Sequence, residues 1–140
     1  MFLIDTNVLS EFRLLQSKRA DRNVAAWADR HDPDTFFLSA ITLMEAEIGV
    51  QRMERRDPRQ GRVLRDWMSG VILPRYGRRI LAVDGPVATL AAAFHSPNPA
   101  PFANSLIAAT AIIHAMVIVT RNVRDFDFPG VSVINPWDVA

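Results

Sequence analysis

The chain has 140 residues, 49% of them hydrophobic and 22% charged, with a formal net charge of +1. That is the balance of one globular domain spanning 1–140, not of a disordered segment or a polycation that grips nucleic acid by bulk charge. It contains no cysteine, which removes disulfide scaffolds, thiolate zinc, iron–sulfur sites and cysteine nucleophiles, and agrees with a reducing, cytoplasmic setting.

Phe2-Leu3-Ile4 is a short apolar run that ends at Asp5 and reads as a buried strand. It carries no basic flank and meets an acid at once, so a signal peptide is not expected. Thr6 or Asn7 is placed to cap the helix that follows. A second helix is expected from about Arg22 to Arg30, and His31-Asp32-Pro33-Asp34 is a turn. Phe36-Phe37-Leu38 is the second strand, and Ser39 caps a long helix over roughly Ala40 to Arg56. Asp57-Pro58 restarts a helix that runs to about Val71.

Ile80-Leu81-Ala82-Val83 is the third strand, ending at Asp84, and Gly85-Pro86 opens an alanine-rich helix to about Phe94. A proline-rich loop over 96–101 precedes a helix from Phe102 to about His114. Met116 to Thr120 and Val131 to Ile134 are the fourth and fifth strands, before the tail Asn135-Pro136-Trp137. The uncharged stretch Phe102–Thr120 holds Asn104, Ser105, Thr110 and His114, and reads as a buried helix running into a buried strand, not as a membrane span. Strands alternating with helices predict an α/β fold with a mostly parallel sheet covered on both faces.

In such sheets, sites form beyond the carboxyl ends of the strands. Asp5 and Asp84 end strands one and three, and Asn122 lies two residues past Thr120. Helical arithmetic at about 100° per residue puts Glu45 roughly 40° from Ile41 and 60° from Ile48, on a core-facing stripe. A carboxylate there needs a partner, either a bound cation or an Arg at a helix end. The same arithmetic aligns Asn104 with Ala108, Ala111 and Ala115, a smooth face able to approach the sheet closely. Asn104 is then either a helix-cap amide or a polar group aimed at the sheet's carboxyl edge.

Other chemistries lack parts. There is no glycine-rich phosphate loop and no Gly-x-Ser-x-Gly elbow. His31, His95 and His114 have no metal-ligand spacing and read as surface or core-edge residues. Asp5-Thr6-Asn7 lacks the second Asp that an aspartyl-phosphate hydrolase places two residues on. The cations are fifteen Arg and one Lys, Lys18, and six of the Arg (52, 55, 56, 59, 62 and 65) crowd one stretch. That stretch is either a solvated helical face or a rim that contacts phosphates.

Four motifs in order resemble those of PIN-domain ribonucleases, especially the VapC and FitB toxins. They are Leu3-Ile4-Asp5-Thr6-Asn7-Val8-Leu9-Ser10-Glu11, Leu38-Ser39-Ala40-Ile41-Thr42-Leu43-Met44-Glu45, Asn104 to Ala111, and Val119-Thr120-Arg121-Asn122 with Asp125-Phe126 and Asn135-Pro136-Trp137. The resemblance spans nearly the whole chain. It implies a PIN-like three-layer α/β/α fold with a short five-stranded sheet. It also implies an Mg²⁺- or Mn²⁺-dependent endoribonuclease, active as a homodimer on RNA and neutralised by a cognate antitoxin.

The family's acidic positions fall on Asp5, Glu45, Asn104 and Asn122, with Asp125 one turn on as a substitute for the fourth. Asp5, Glu45 and Asn104 are the expected metal ligands, and Arg52, Arg55, Arg56 and Arg59 the expected phosphate contacts. Asn104 departs from the pattern, since Asn keeps a carbonyl oxygen but lacks the charge. A weakened or inactive nuclease is therefore expected, the alternative being a non-catalytic module that binds only antitoxin or RNA.

Overall fold

The computed structural model describes residues 1–138. Five parallel strands form one sheet: β1 Phe2–Ile4, β2 Phe36–Ser39, β3 Ile80–Leu81, β4 Val117–Val119 and β5 Val133–Ile134, in the order β3-β2-β1-β4-β5. Every pairing is parallel, with Leu3 opposite Phe37 on one side and Ile118 on the other. Helices α1 Thr6–Phe12, α2 Arg22–Asp29, α3 Ala40–Arg56, α4 Pro58–Trp67, α5 Leu73–Tyr76, α6 Gly85–Ala93 and α7 Phe102–Ile113 cover it.

Side chains alternate across the sheet and divide the core in two. Ile4, Leu38 and Val119 face a cluster with Val8, Leu9, Trp27, Val50, Met68 and Ile72. Leu3 and Ile118 face Ile107, Ala108 and Ala111 of α7 on the other side. This is the expected three-layer α/β/α arrangement. No helix among the described residues is long and apolar enough to cross a membrane; Phe102–Thr120 is indeed a helix that returns as a strand.

Several local expectations are corrected. Asp5, not Thr6 or Asn7, caps α1, because its extended backbone lets its carboxylate accept from the Thr6 N–H. β3 is two residues long, because β2 ends at Ser39, opposite Leu81, and offers Ala82 and Val83 no partner. β4 and β5 are likewise shorter than their apolar runs. The helix expected to stop near Val71 continues to Tyr76 through a π turn over Met68–Ile72. Pro74 has no N–H to donate and its ring crowds the carbonyl four residues back, and the widened turn just before it absorbs both effects. Gly77 then ends the helix at φ +38°.

The buried stripe of α3 is Thr42, Ala46 and Val50, whereas Ile48 is 39% exposed. Glu45 therefore flanks the stripe and does not lie on it. Ala115 lies past the end of α7 with φ +54°, so only Ala108 and Ala111 continue the face of Asn104.

α3 and α4 form a tight hairpin. A Cβ on Gly61 would collide with the Glu54 backbone at Cα, a contact that a rotamer change cannot relieve. Gly61→Ala is expected to cost about 3 kcal/mol through forced separation of the two helices. Thermal unfolding should show a midpoint lowered by roughly 10 °C; an unchanged midpoint would mean that the hairpin yields freely.

Candidate active site

The site is built where β1 and β4 end side by side. The Asp5 N–H donates to the Val119 carbonyl at 3.0 Å, which carries the parallel ladder one residue past β1. Alternation puts Asp5 on the same side as Leu3, toward α7, and Thr120 beside it on the same side as Ile118. Thr120 is fully buried and its hydroxyl donates to Asp5 Oδ2 at 2.7 Å. The other oxygen, Oδ1, accepts from the Thr6 N–H at 2.9 Å.

Asn7 completes the frame. Its amide nitrogen lies 3.4 Å from both Asp5 Oδ2 and Thr120 Oγ1, and its carbonyl oxygen accepts from the Arg121 N–H at 3.1 Å. Sequence reading placed Asn7 only as a helix cap and gave Thr120 no role beyond ending a strand. A hydroxyl residue at the end of the strand next to the acid was the available signal.

Glu45 arrives from the second turn of α3. Thr6 bridges it to Asp5: the Thr6 hydroxyl donates to Glu45 Oε1 at 2.9 Å while the Thr6 N–H serves Asp5. The anticipated helix-end Arg does not reach Glu45. Arg65 instead bridges Glu47 at 2.6 Å and Glu54 at 2.9 Å, holding both carboxyls below their usual range. Among the described residues no Lys, Arg or His forms an ion pair with Asp5 or Glu45.

The electrostatics follow. Burial pushes the Asp5 carboxyl above its ordinary value; the Thr120 and Thr6 hydrogen bonds oppose this, and the charge of Asp125 adds to it. Burial likewise raises Glu45, against the Thr6 hydroxyl and with the charge of Asp5. Two carboxylates are thus drawn out of water near each other, with no cationic side chain paired to either among the described residues.

The remaining candidates lie on other elements. Asn104 is half-buried on the first turn of α7. That helix runs antiparallel to the strands, so its start lies at their carboxyl edge. Asp125 belongs to a 3₁₀ turn over Val123–Phe126 and is exposed, yet its charge reaches Asp5. Asn122 is exposed, and its backbone N–H donates to Thr120 Oγ1 at 3.0 Å. Asp84 is not part of the site: it is exposed and caps α6 by accepting from the Val87 N–H at 3.1 Å. Among the described residues no three His, Cys, Asp or Glu side chains converge closely enough to enclose a metal ion.

Residues 2–130 match the profile of the PIN domain. The chain belongs to the PIN-domain family. This PIN domain is 34% identical to the VapC ribonuclease Y4jK of Sinorhizobium fredii, with 100% of each chain covered. It is 36% identical to toxin FitB of Neisseria gonorrhoeae over 98% of this chain and 99% of that one. In three dimensions it is similar to FitAB bound to an IR36 DNA fragment, with a TM-score of 0.87 and 35% identity over 100% of this chain and 98% of that one. The expected fold is borne out at full length.

Proposed function

We propose that this PIN domain is a toxin-type, metal-dependent endoribonuclease whose activity is weakened by Asn104. The observation that carries the reading is the pair Asp5 and Glu45, held together through Thr6 with no cationic side chain among the described residues paired to either. The names of its relatives, VapC ribonuclease and toxin FitB, support the same class. The donor set is all oxygen, which suits a hard divalent cation that keeps several waters and needs only one or two carboxylates.

When bound, Mg²⁺ or Mn²⁺ supplies charge neutralisation for the scissile phosphate and a more acidic water. Asp5 is the central ligand, oriented by Thr120 and Thr6. Glu45 holds or orients water from the α3 side. Asn104 offers one neutral carbonyl oxygen. Asp125 is the better candidate for the fourth position, because its charge acts on Asp5, whereas Asn122 supports Thr120 through its backbone. Cleavage of RNA in Mg²⁺ and in Mn²⁺, compared between this chain and Asn104→Asp, tests the reading. The non-catalytic alternative is favoured by Asn104 itself, and predicts no cleavage by either form.

Partners follow from the same chemistry. A cytoplasmic antitoxin that presents an Arg or Lys to Asp5 and Glu45 would neutralise them, and the FitAB assembly of a relative supports such a partner. A homodimer is the expected active form. The RNA track is the exposed rim of Arg52, Arg55, Arg56 and Arg59 at the tip of the α3–α4 hairpin. Arg65 is excluded from that rim by its two glutamates. Reversing Arg55 and Arg59 to Glu should weaken binding of single-stranded RNA and lower the slope of log K against log salt by about 1.4 units. A slope unchanged by the double reversal would return this face to mere solubility.

A further inference from the structure

Helix α7 starts without a side-chain cap, with Pro101 at the N-cap position. Its first turn, which carries Asn104, is held instead from the segment that follows α6. His95 Nε2 lies 3.0 Å from Ser105 Oγ, and the Ala100 N–H donates to His95 Nδ1 at 3.3 Å. The buried Ser105 hydroxyl donates in turn to the Phe102 carbonyl at 2.9 Å. The Phe102 ring stands edge-on to the imidazole with centroids 5.2 Å apart.

The direction of this relay is fixed. A backbone N–H only donates, so Nδ1 accepts and the ring proton sits on Nε2. Nε2–H therefore donates to Ser105 Oγ, whose own proton is already given to Phe102. A serine beside a histidine suggests a nucleophile and its base, but here Nε2 has no lone pair to receive a proton. The pair is a clamp across the 96–101 loop.

We propose that His95 is a positioning residue: through Ser105 it fixes the first turn of α7 and thereby the place of residue 104 at the start of that helix. This rests on the reading of the site as a divalent-metal centre. The imidazole's partners are Ser105, Ala100 and Phe102, so its effect on the site passes through the turn.

The test uses His95→Ala and His95→Gln in the full chain, with Mn²⁺ affinity by calorimetry and amide exchange at Ser105 and Leu106 as readouts. His95→Ala should weaken Mn²⁺ binding about 10-fold, the lower end for groups that orient metal ligands, and speed exchange by about the same factor as the turn loosens. Gln places an N–H donor where Nε2 stands, so His95→Gln should bring both readouts back to within about twofold of the parent. Ser105→Ala, which removes the acceptor, should reproduce His95→Ala. The proposal is overturned if His95→Ala leaves Mn²⁺ affinity and exchange unchanged, or if Gln rescues no better than Ala. A parent chain that binds no Mn²⁺ would sink the nuclease reading instead, and exchange at Ser105 would then decide alone whether His95 sets the turn.

Discussion

Asn104→Asp is expected to raise RNA cleavage in saturating Mg²⁺ by at least about 10–100-fold, the range seen when groups merely supporting a metal site are lost. The change restores an anionic oxygen at the start of α7, on the face that continues through Ala108 and Ala111 against Leu3 and Ile118. The helix itself favours the charge, by about 0.3–1 kcal/mol at its first turn. Without metal, the added carboxylate would join Asp5 and Glu45 and deepen their repulsion, so apo Asn104→Asp should melt lower than the parent. Mn²⁺ should reverse that loss, by about 2.7 kcal/mol at a hundredfold excess over Kd. Equal cleavage rates for the two forms would mean that Asp5, Glu45 and Asp125 suffice and that residue 104 only begins a helix.

Removing the charge of Asp5 should have the opposite effect on metal, and a telling one on stability. Asp5→Asn is expected to abolish calorimetrically detectable Mn²⁺ binding while leaving the fold intact, because the amide oxygen can still accept from the Thr6 N–H. Its melting point should equal or exceed that of the apo parent at neutral pH. The sign follows from burial. The folded state raises the Asp5 carboxyl above its ordinary value, so the unfolded chain ionises first. The resulting penalty is absent below the ordinary carboxylate value, grows as pH rises toward the raised folded value, and is fully present above it. Asp5→Asn should therefore lie level with the parent at acid pH and gain on it above that window. Asp5→Ala should not gain in the same way, because it also removes the α1 cap, worth about 1 kcal/mol; loss of the acceptor for the Thr120 hydroxyl is common to both variants. Unaltered Mn²⁺ affinity in Asp5→Asn would remove Asp5 from the site.

The layered fold was legible because its signals are local. Short apolar runs at Phe2, Phe36 and Val117 alternate with capped helices, and Ser39 caps α3 as its position implied. The errors fell where a neighbour decides the outcome. Ala82 and Val83 are as strand-prone as Ile80 and Leu81, but the end of β2 denies them partners. The π turn needed the conflict between Pro74 and the carbonyl behind it to be resolved in three dimensions. At the site, strand ends and helical phase found Asp5 and Glu45. They could not find the Thr120 hydroxyl bond, the double use of Thr6, or the His95 relay, because each joins segments that sequence spacing does not relate. Arg65 illustrates the same limit: only the α3–α4 crossing reveals that it is spent on Glu47 and Glu54.

The bond from Thr120 to Asp5 spans 115 residues and the bond from the Arg121 N–H to Asn7 spans 114. Asp5 is therefore synthesised well before the groups that orient it. Closing so long a loop gains nothing until the strands between have docked, so contacts of this separation form late in folding. An unfinished chain that stops before Val117 would carry Asp5 and Glu45 with no β4 beside β1 to seat them. The acidic site thus stays unassembled until β4 has been made, by topology alone.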